Sequence, residues 1–355
     1  MDEFRIITFD PLTADAALWE KFFDHTETIY REYEPDEPML PRARKKEMTL
    51  AALPSPYVDN RFYLALAPDG APAGYACAGL DRPGSPAYEE NKHMGYVQEV
   101  SVLPPYRRRG LGTALLLRAV RDLAAAGPSI KEVSLVAFRE PGQRFAEKKG
   151  AVLALTQAEN RLYFKDLDWG MVERWAAEGA ARNPATRLTT AAVIPEEDLA
   201  DFAKAYTETL NQAPQGGMGG RVEVTPEAVR HSEARNAAQG ALHLTVYTRE
   251  ADGRVSGLTE IAYVKELGFK ARQMLTGVRQ EFRGRGLGKW LKAAMLLRLR
   301  ADYPGVKYVA TANADSNAPM LAINDRLGFK RHMPVNVYKL ELTPELAGRE
   351  IRKGK

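Results

Sequence analysis

The sequence predicts a mixed α/β protein built from two similar halves, and three observations carry that prediction. A strand-like run, a glycine turn and an apolar helix follow one another over residues 96–117, YVQEVSVLPPYRRRGLGTALLL. The same order returns over residues 274–297, MLTGVRQEFRGRGLGKWLKAAMLL. Arg107, Gly110 and Gly112 recur as Arg283, Gly286 and Gly288, each 176 positions on, and the same offset joins Val102 to Val278 and Val133 to Val309. Chance glycine turns would not keep strand, loop, helix and next strand in register, so the chain carries an internal duplication.

Length and composition agree. A chain of 355 residues is long enough for two domains that each bury a core. The boundaries read as a first domain over 1–168, a linker helix over 169–186 and a second domain over 187–355. At 45% hydrophobic and 27% charged residues, the composition is that of a globular protein. Fifty basic against 46 acidic residues leave a formal charge of only +4, too balanced for a dedicated nucleic-acid binder. The lone Cys77 excludes an internal disulfide framework and suits a reducing compartment. The first residues, MDEFRIITFD, lack an apolar leader, and no run is apolar for long enough to span a membrane. The expected location is cytoplasmic.

In order, residues 5–9 alternate like a strand, and 14–33 read as one or two helices with Leu18, Trp19, Phe22 and Phe23 on an apolar face. Residues 61–66 and 74–80 are strands about the turn Pro68-Asp69-Gly70. The strand at 96–102, the glycine loop and a helix ending near Gly127 follow, then a strand at 132–138, a short helix at 143–149 and a closing strand at 160–165. The pattern restarts with a strand at 187–190 and a helix at 196–211. Residues 212–220, QAPQGGMGG, read as a mobile loop. Strands at 242–248, 255–264 and 273–278, the second glycine loop, a helix to Leu299 and strands at 307–311 and 335–342 complete the chain.

A strand feeding a glycine loop that opens a helix is a phosphate-binding arrangement: the backbone can approach closely, and free N–H groups with the helix dipole favour negative charge. Arg107, Arg108 and Arg109 in one copy and Arg283 and Arg285 in the other add cationic donors. The P-loop pattern fails because Gly288-Lys289 is followed by Trp290. The dinucleotide fingerprint fails because Leu115 and Leu291 stand where a small residue is required.

The remaining pattern, Arg-x-x-Gly-x-Gly after a strand, resembles the coenzyme loop of the GNAT acetyltransferase superfamily. Asn317 and the run Ile323-Asn324-Asp325-Arg326-Leu327-Gly328-Phe329 resemble that family's later motif. The two halves together resemble the tandem GNAT proteins, the group that includes mycothiol synthase. The resemblance implies two GNAT-like domains of α/β (α+β) class, each a twisted mixed sheet flanked by helices. It implies acetyl-CoA as cosubstrate, a small-molecule amine as partner, and lid helices on the acceptor side over 34–56; no His/Cys/Asp cluster has metal spacing, so no metal is expected. It places the coenzyme on Val100, Val102, Arg107, Arg108, Arg109, Gly110, Gly112 and Thr113 in the first half. In the second half it places it on Thr276, Val278, Arg283, Gly284, Arg285, Gly286, Gly288, Lys289 and Asn317.

For catalysis, Glu99 shares a strand face with Ser101 and is the candidate base of the first half. Leu275 stands at its counterpart, which leaves Glu260 for the second. The family's tyrosine acid is replaced by Ala146 and Asn324, neither of which can donate as a phenol does, so Tyr338 becomes a candidate donor. Asn317 could equally be a helix cap. The first half departs further from the family, with Glu140-Pro141-Gly142 in place of the asparagine and Lys149-Gly150-Ala151 in place of Leu-Gly-Phe. The expected activity is acetyl transfer to a small amine, with the second half the catalytic one. A coenzyme-A-binding regulator without turnover and a tRNA-dependent aminoacyl transferase are the rival readings.

Overall fold

The computed structural model describes residues 4–217 and 219–348. The chain runs β1 (Arg5–Thr8), α1 (Ala16–Tyr33), α2 (Arg42–Ala51), β2 (Val58–Leu66), β3 (Pro72–Asp81), α3 (Tyr88–Asn91), β4 (Met94–Val102), α4 (Leu111–Ala126), β5 (Glu132–Ala137), α5 (Glu140–Lys148) and β6 (Val152–Leu155). It continues with β7 (Gln157–Tyr163), α6 (Trp169–Arg182), β8 (Arg187–Ala191), α7 (Glu196–Asn211), α8 (Pro226–Ala238), β9 (Leu242–Arg249), β10 (Val255–Tyr263) and β11 (Lys270–Val278). The last elements are α9 (Leu287–Asp302), β12 (Tyr308–Ala314), α10 (Ala318–Leu327), β13 (Lys330–Pro334) and β14 (Asn336–Glu341).

Two seven-stranded mixed sheets result. Their orders are β1-β2-β3-β4-β5-β14-β6 and β8-β9-β10-β11-β12-β7-β13. Position by position the sheets match, including the one parallel pair in each, β4 with β5 and β11 with β12. The sixth strand is exchanged. β7 leaves the first sheet to pair with β12 and β13, and β14 returns from the chain's end to pair with β5 and β6. A single residue, Thr156 or Val335, separates each of these strands from the one before it. That is too short for a hairpin, which needs at least two residues in its turn, so the strand must run on.

This exchange corrects the expected boundaries. One compact unit comprises residues 1–155, 216–220 and 336–355, and the other 156–215 and 221–335. The strand expected to close the first half, at 160–165, completes the second sheet, and the final strand completes the first. The segment expected to link two domains is α6, which packs on α9: at Gly179 an added Cβ would lie 2.3 Å from Trp290. The helices α3 and α8 and the short strands β6 and β13 were not expected from sequence.

In each unit one face of the sheet is covered by the helix after the glycine loop, α4 or α9, packed on buried aliphatic residues such as Leu115, Leu123 and Val133 or Leu291, Leu299 and Val309. The other face is covered by α1 in the first unit and by α7 in the second. There α1 packs Trp19, Phe22 and Phe23 against Phe9 and Tyr75, and α7 packs Leu199 and Phe202 against Tyr247 and Leu258. Among the described residues no helix is long and apolar enough to cross a membrane.

Candidate active site

In the second unit β11 and β12 pair only at Lys270–Arg272 with Tyr308–Ala310, and then diverge. Beyond that point the β12-facing edge of β11 has no strand partner, which leaves main-chain N–H and C=O groups that a ligand with amide groups could pair with. A register shift in the β10–β11 ladder between Thr259 and Ile261 puts Met274 and Leu275 opposite Glu260 alone. Such a bulge bends the strand and drives the opening. The first unit has the same shift, between Cys77 and Ala78 opposite β4, and the same parting of β4 from β5 after Val97.

The opening in the second unit is a groove of about 590 Å³. Thr276 and Val278 of β11, the loop residues Arg283, Gly284, Gly286, Gly288 and Lys289, and Asn317 and Met320 beside α10 all line it. Gly286 has φ 82°, left-handed backbone that glycine adopts readily, and sits at the N-cap of α9 with no side chain capping the helix. The first helix bond made is Trp290 N–H to Gly286 C=O, so the amides of the first turn face the groove without a partner in the helix. Together with the helix dipole they form an anion site. Lys289 stands over the Trp175 ring at 5.2 Å, and the Arg283 guanidinium donates to Gln212 Oε1. Neither cation has a carboxylate partner among the described residues. Asn317 occupies the N-cap position of α10, but its side chain makes no capping bond and lines the groove instead.

Arg285 departs from expectation. Its guanidinium is taken up by Asn183 Oδ1 at 2.9 Å, Thr186 Oγ1 at 2.7 Å and Glu250 Oε2 at 3.0 Å, and it does not line the groove. It anchors the loop rather than facing a ligand.

The first unit keeps the loop but closes it down. Gly110, with φ 84°, caps α4 without a side-chain bond, and Gly112 and Thr113 follow in the first turn. Arg107, the counterpart of Arg283, is locked by Glu32 at 2.9 and 2.5 Å and donates to the Val102 carbonyl. Arg139 lies over the Tyr33 ring and donates to the Glu32 and Tyr33 carbonyls. Arg109 stands over the Phe4 ring, and Arg108 is held at φ 63°, a conformation that disfavours any side chain. The side chains of Val100 and Val102 pack on the core.

The candidate catalytic groups fall as follows. Glu99 and Ser101 share a face as expected: Ser101 Oγ donates to Glu99 Oε1 at 2.7 Å, and His25 Nε2 is 2.8 Å from the same hydroxyl. Because the hydroxyl's proton goes to Glu99, the imidazole is the donor. Burial raises the Glu99 pKa, against the opposing effects of Ser101 and Lys45. Burial, with Lys45, lowers that of His25 to about 4. Glu260 is buried and faces α7, where Tyr206 donates to it at 3.1 Å; burial raises its pKa to about 7. It stands outside the groove's lining. Tyr338 is a correction. It lies on β14 in the first sheet, is 1% exposed, and donates to Glu147 Oε1, so it belongs to the core of the first unit and not to the half of the sequence in which it stands.

Sequence reading missed a buried polar chain at the base of the second groove. Lys292, 2% exposed, donates to Gln273 Oε1 at 2.7 Å and Asn324 Oδ1 at 2.8 Å. Gln273 donates to Thr259 and Thr276, and Asn324 donates to Asn313. The signal was a lysine sharing a helix face with Gly288, Met295 and Leu299 in an otherwise apolar stripe.

A duplicated mixed sheet that parts at a bulge, with a glycine loop and an uncapped helix at the opening, defines a tandem α/β fold with an anion site at each helix start. Residues 19–151 match the acetyltransferase (GNAT) family, so the chain carries a GNAT acetyltransferase domain over that stretch. Mycothiol acetyltransferase of Clavibacter michiganensis subsp. michiganensis is 29% identical over 269 residues, which are 75% of this chain and 80% of that protein. The tandem GNAT protein from the clavulanic acid biosynthesis pathway shares the fold over 96% of this chain and 99% of its own, with a TM-score of 0.74 at 21% identity. A GCN5-related N-acetyltransferase from Sphaerobacter thermophilus shares it over 96% of both chains, with a TM-score of 0.64 at 18% identity.

Proposed function

We propose that the second unit binds acetyl-CoA and transfers its acetyl group to the amine of a small molecule. The observation that carries this reading is the groove itself: an uncapped helix N-terminus with two carboxylate-free cations at one end, running along an unpaired strand edge. The coenzyme supplies an activated acetyl thioester. The amides of Leu287, Gly288 and Lys289, with Arg283, would hold its diphosphate, and the β11 edge at Thr276 to Val278 would pair with its amide-bearing arm. A main-chain N–H on that edge would steady the oxyanion as the amine attacks. The acceptor enters past Met274, Gln212, Ala213 and Pro214, which line the groove's other side. Glu260, poised near neutral pH, accepts the amine's proton by way of ordered water. In the first unit Glu32 has taken the place of the diphosphate on Arg107, so that copy binds the coenzyme weakly and supports rather than catalyses.

Calorimetric titration with acetyl-CoA tests this. One tight site is expected, lost by at least tenfold in Gly286→Val, where a β-branched residue is forced into left-handed backbone, and kept in Gly110→Val. Loss of the tight site in Gly110→Val instead would place the coenzyme in the first unit. Tight binding with no thiol release across a library of amines would favour a coenzyme-sensing protein over an enzyme.

A further inference from the structure

We propose that Lys292 is the acid of the second unit, giving its Nζ proton to the coenzyme sulfur as the thioester breaks. The inference rests on the reading of the groove given above. Lys292 projects from α9 into the opening between β11 and β12, lines the groove, and holds Gln273 of β11 and Asn324 of α10. Two of its three donors are committed to those amide oxygens, and the third has no acceptor among the described residues. The groups packed around it carry no charge: Gln273, Asn324 and the Phe329 ring, with Nζ 5.3 Å from the ring centre. A buried cation with no counter-ion is costly, and here burial alone lowers its pKa to about 7. Burial thus makes this ammonium a stronger proton donor than an ordinary lysine, and a thiolate leaving beside it would be the counter-ion that the pocket lacks.

The first unit shows that the fold does not need this network for support. At the offset of 176, Lys292, Gln273 and Thr276 correspond to Leu116, Val97 and Val100, and at the offset of 178 that joins Gly150 to Gly328, Asn324 corresponds to Ala146; all four pack in an apolar core. Asn324 stands where the family carries its phenol, and it accepts the lysine's hydrogen bond. The donor has moved to the opposite helix.

The step balances. The amine nitrogen bonds to the acetyl carbon, the carbon–sulfur bond breaks with its electron pair going to sulfur, and the Nζ proton completes the thiol. Neutral Lys292 then recovers a proton from water as the amine's proton leaves.

The test needs no acceptor. Free coenzyme A is titrated against pH in complex with the protein in the Gly110→Val background, which confines binding to the second unit. Thiolate formation is followed by its ultraviolet absorbance. Beside an ammonium, the bound thiol should ionise at a pH at least one unit below that of free coenzyme A, a tenfold gain, and Lys292→Met should abolish the gain. Desulfo-coenzyme A is titrated by calorimetry in parallel. If neither ligand binds, the reading of the groove fails. If both bind and the thiol ionises as it does free in solution, Lys292 is not the acid while the groove stands. Should Lys292→Met fail to melt cooperatively, Lys292→Gln replaces it, and an unshifted thiol in the parent protein still overturns the proposal.

Discussion

The two units place different chemistry on the same backbone. In each, the arginine after the coenzyme strand reaches the end of the first helix, but Arg107 meets the carboxylate of Glu32 and Arg283 the neutral amide of Gln212. In each, one carboxyl sits at the bulge, half-buried in the first and buried in the second, but on opposite strands: Glu99 of β4 faces Cys77 of β3, whereas Glu260 of β10 stands beside Leu275 of β11. His25, Ser101 and Glu99 form a polar chain, and the counterparts of its two strand residues, Gly277 and Leu275, carry no polar side chain. The polar chain at the base of the second groove has only apolar counterparts in the first. The first copy has moved its polar groups to the α1 face, while the second keeps them where the strands part. Duplication preserved the frame and left the charges free to diverge.

The largest expected effect is on pH-dependent stability, through two buried ionisable groups that the second unit holds. Glu260 holds its proton more tightly folded than unfolded, so it makes stability fall as pH climbs from about 4.5 to about 7. Lys292 holds its proton less tightly folded, so it makes stability rise from about 7 to about 10.5. Glu260→Gln should flatten the acid limb of a Tm-against-pH profile and Lys292→Met the alkaline limb. A profile unchanged by either substitution would mean that the buried groups are hydrated.

A smaller effect should follow from releasing Arg107. Glu32→Gln copies Gln212 into the first unit and removes an exposed ion pair worth on the order of 1 kcal/mol. Acetyl-CoA affinity at the weak site should rise about fivefold, read by calorimetry in a Gly286→Val background. An unchanged or lower affinity would show that Glu32 is not what sets the units apart. The smallest effect concerns position 108, where the second copy has Gly284 at φ 82° and the first an arginine at φ 63°. Arg108→Gly should raise stability by about 0.5–1 kcal/mol, the left-handed strain less the entropy glycine adds to the unfolded chain. A lower Tm on thermal melting would assign Arg108 a contact that outweighs its backbone.

Much of this was legible in the sequence because the signals are local. Arg-x-x-Gly-x-Gly fixes a turn and a helix start within eight residues, and Trp19, Phe22 and Phe23 mark a helix face by spacing alone. What escaped depends on partners far along the chain. Nothing in the alternation of residues 157–163 or 336–341 says which sheet each will join, so the unit to which Tyr338 belongs cannot be read there. Arg285 reads as a phosphate donor until Asn183 and Glu250 are folded beside it. Lys292 reads as a solvated lysine until β11 and α10 close over it.

The exchange of β7 and β14 has a consequence for how the protein is made. On the ribosome the first 155 residues emerge with β5 and β6 in place but no strand between them. The strand that belongs there, β14, is made only after the whole second unit. Until residue 341 is clear, the earliest-made sheet carries open edges along β5 and β6, the kind of surface that invites pairing with another chain. The second sheet has β7 at hand from the start and can close first. Although synthesis runs from the amino end, the order in which the two sheets are completed runs the other way.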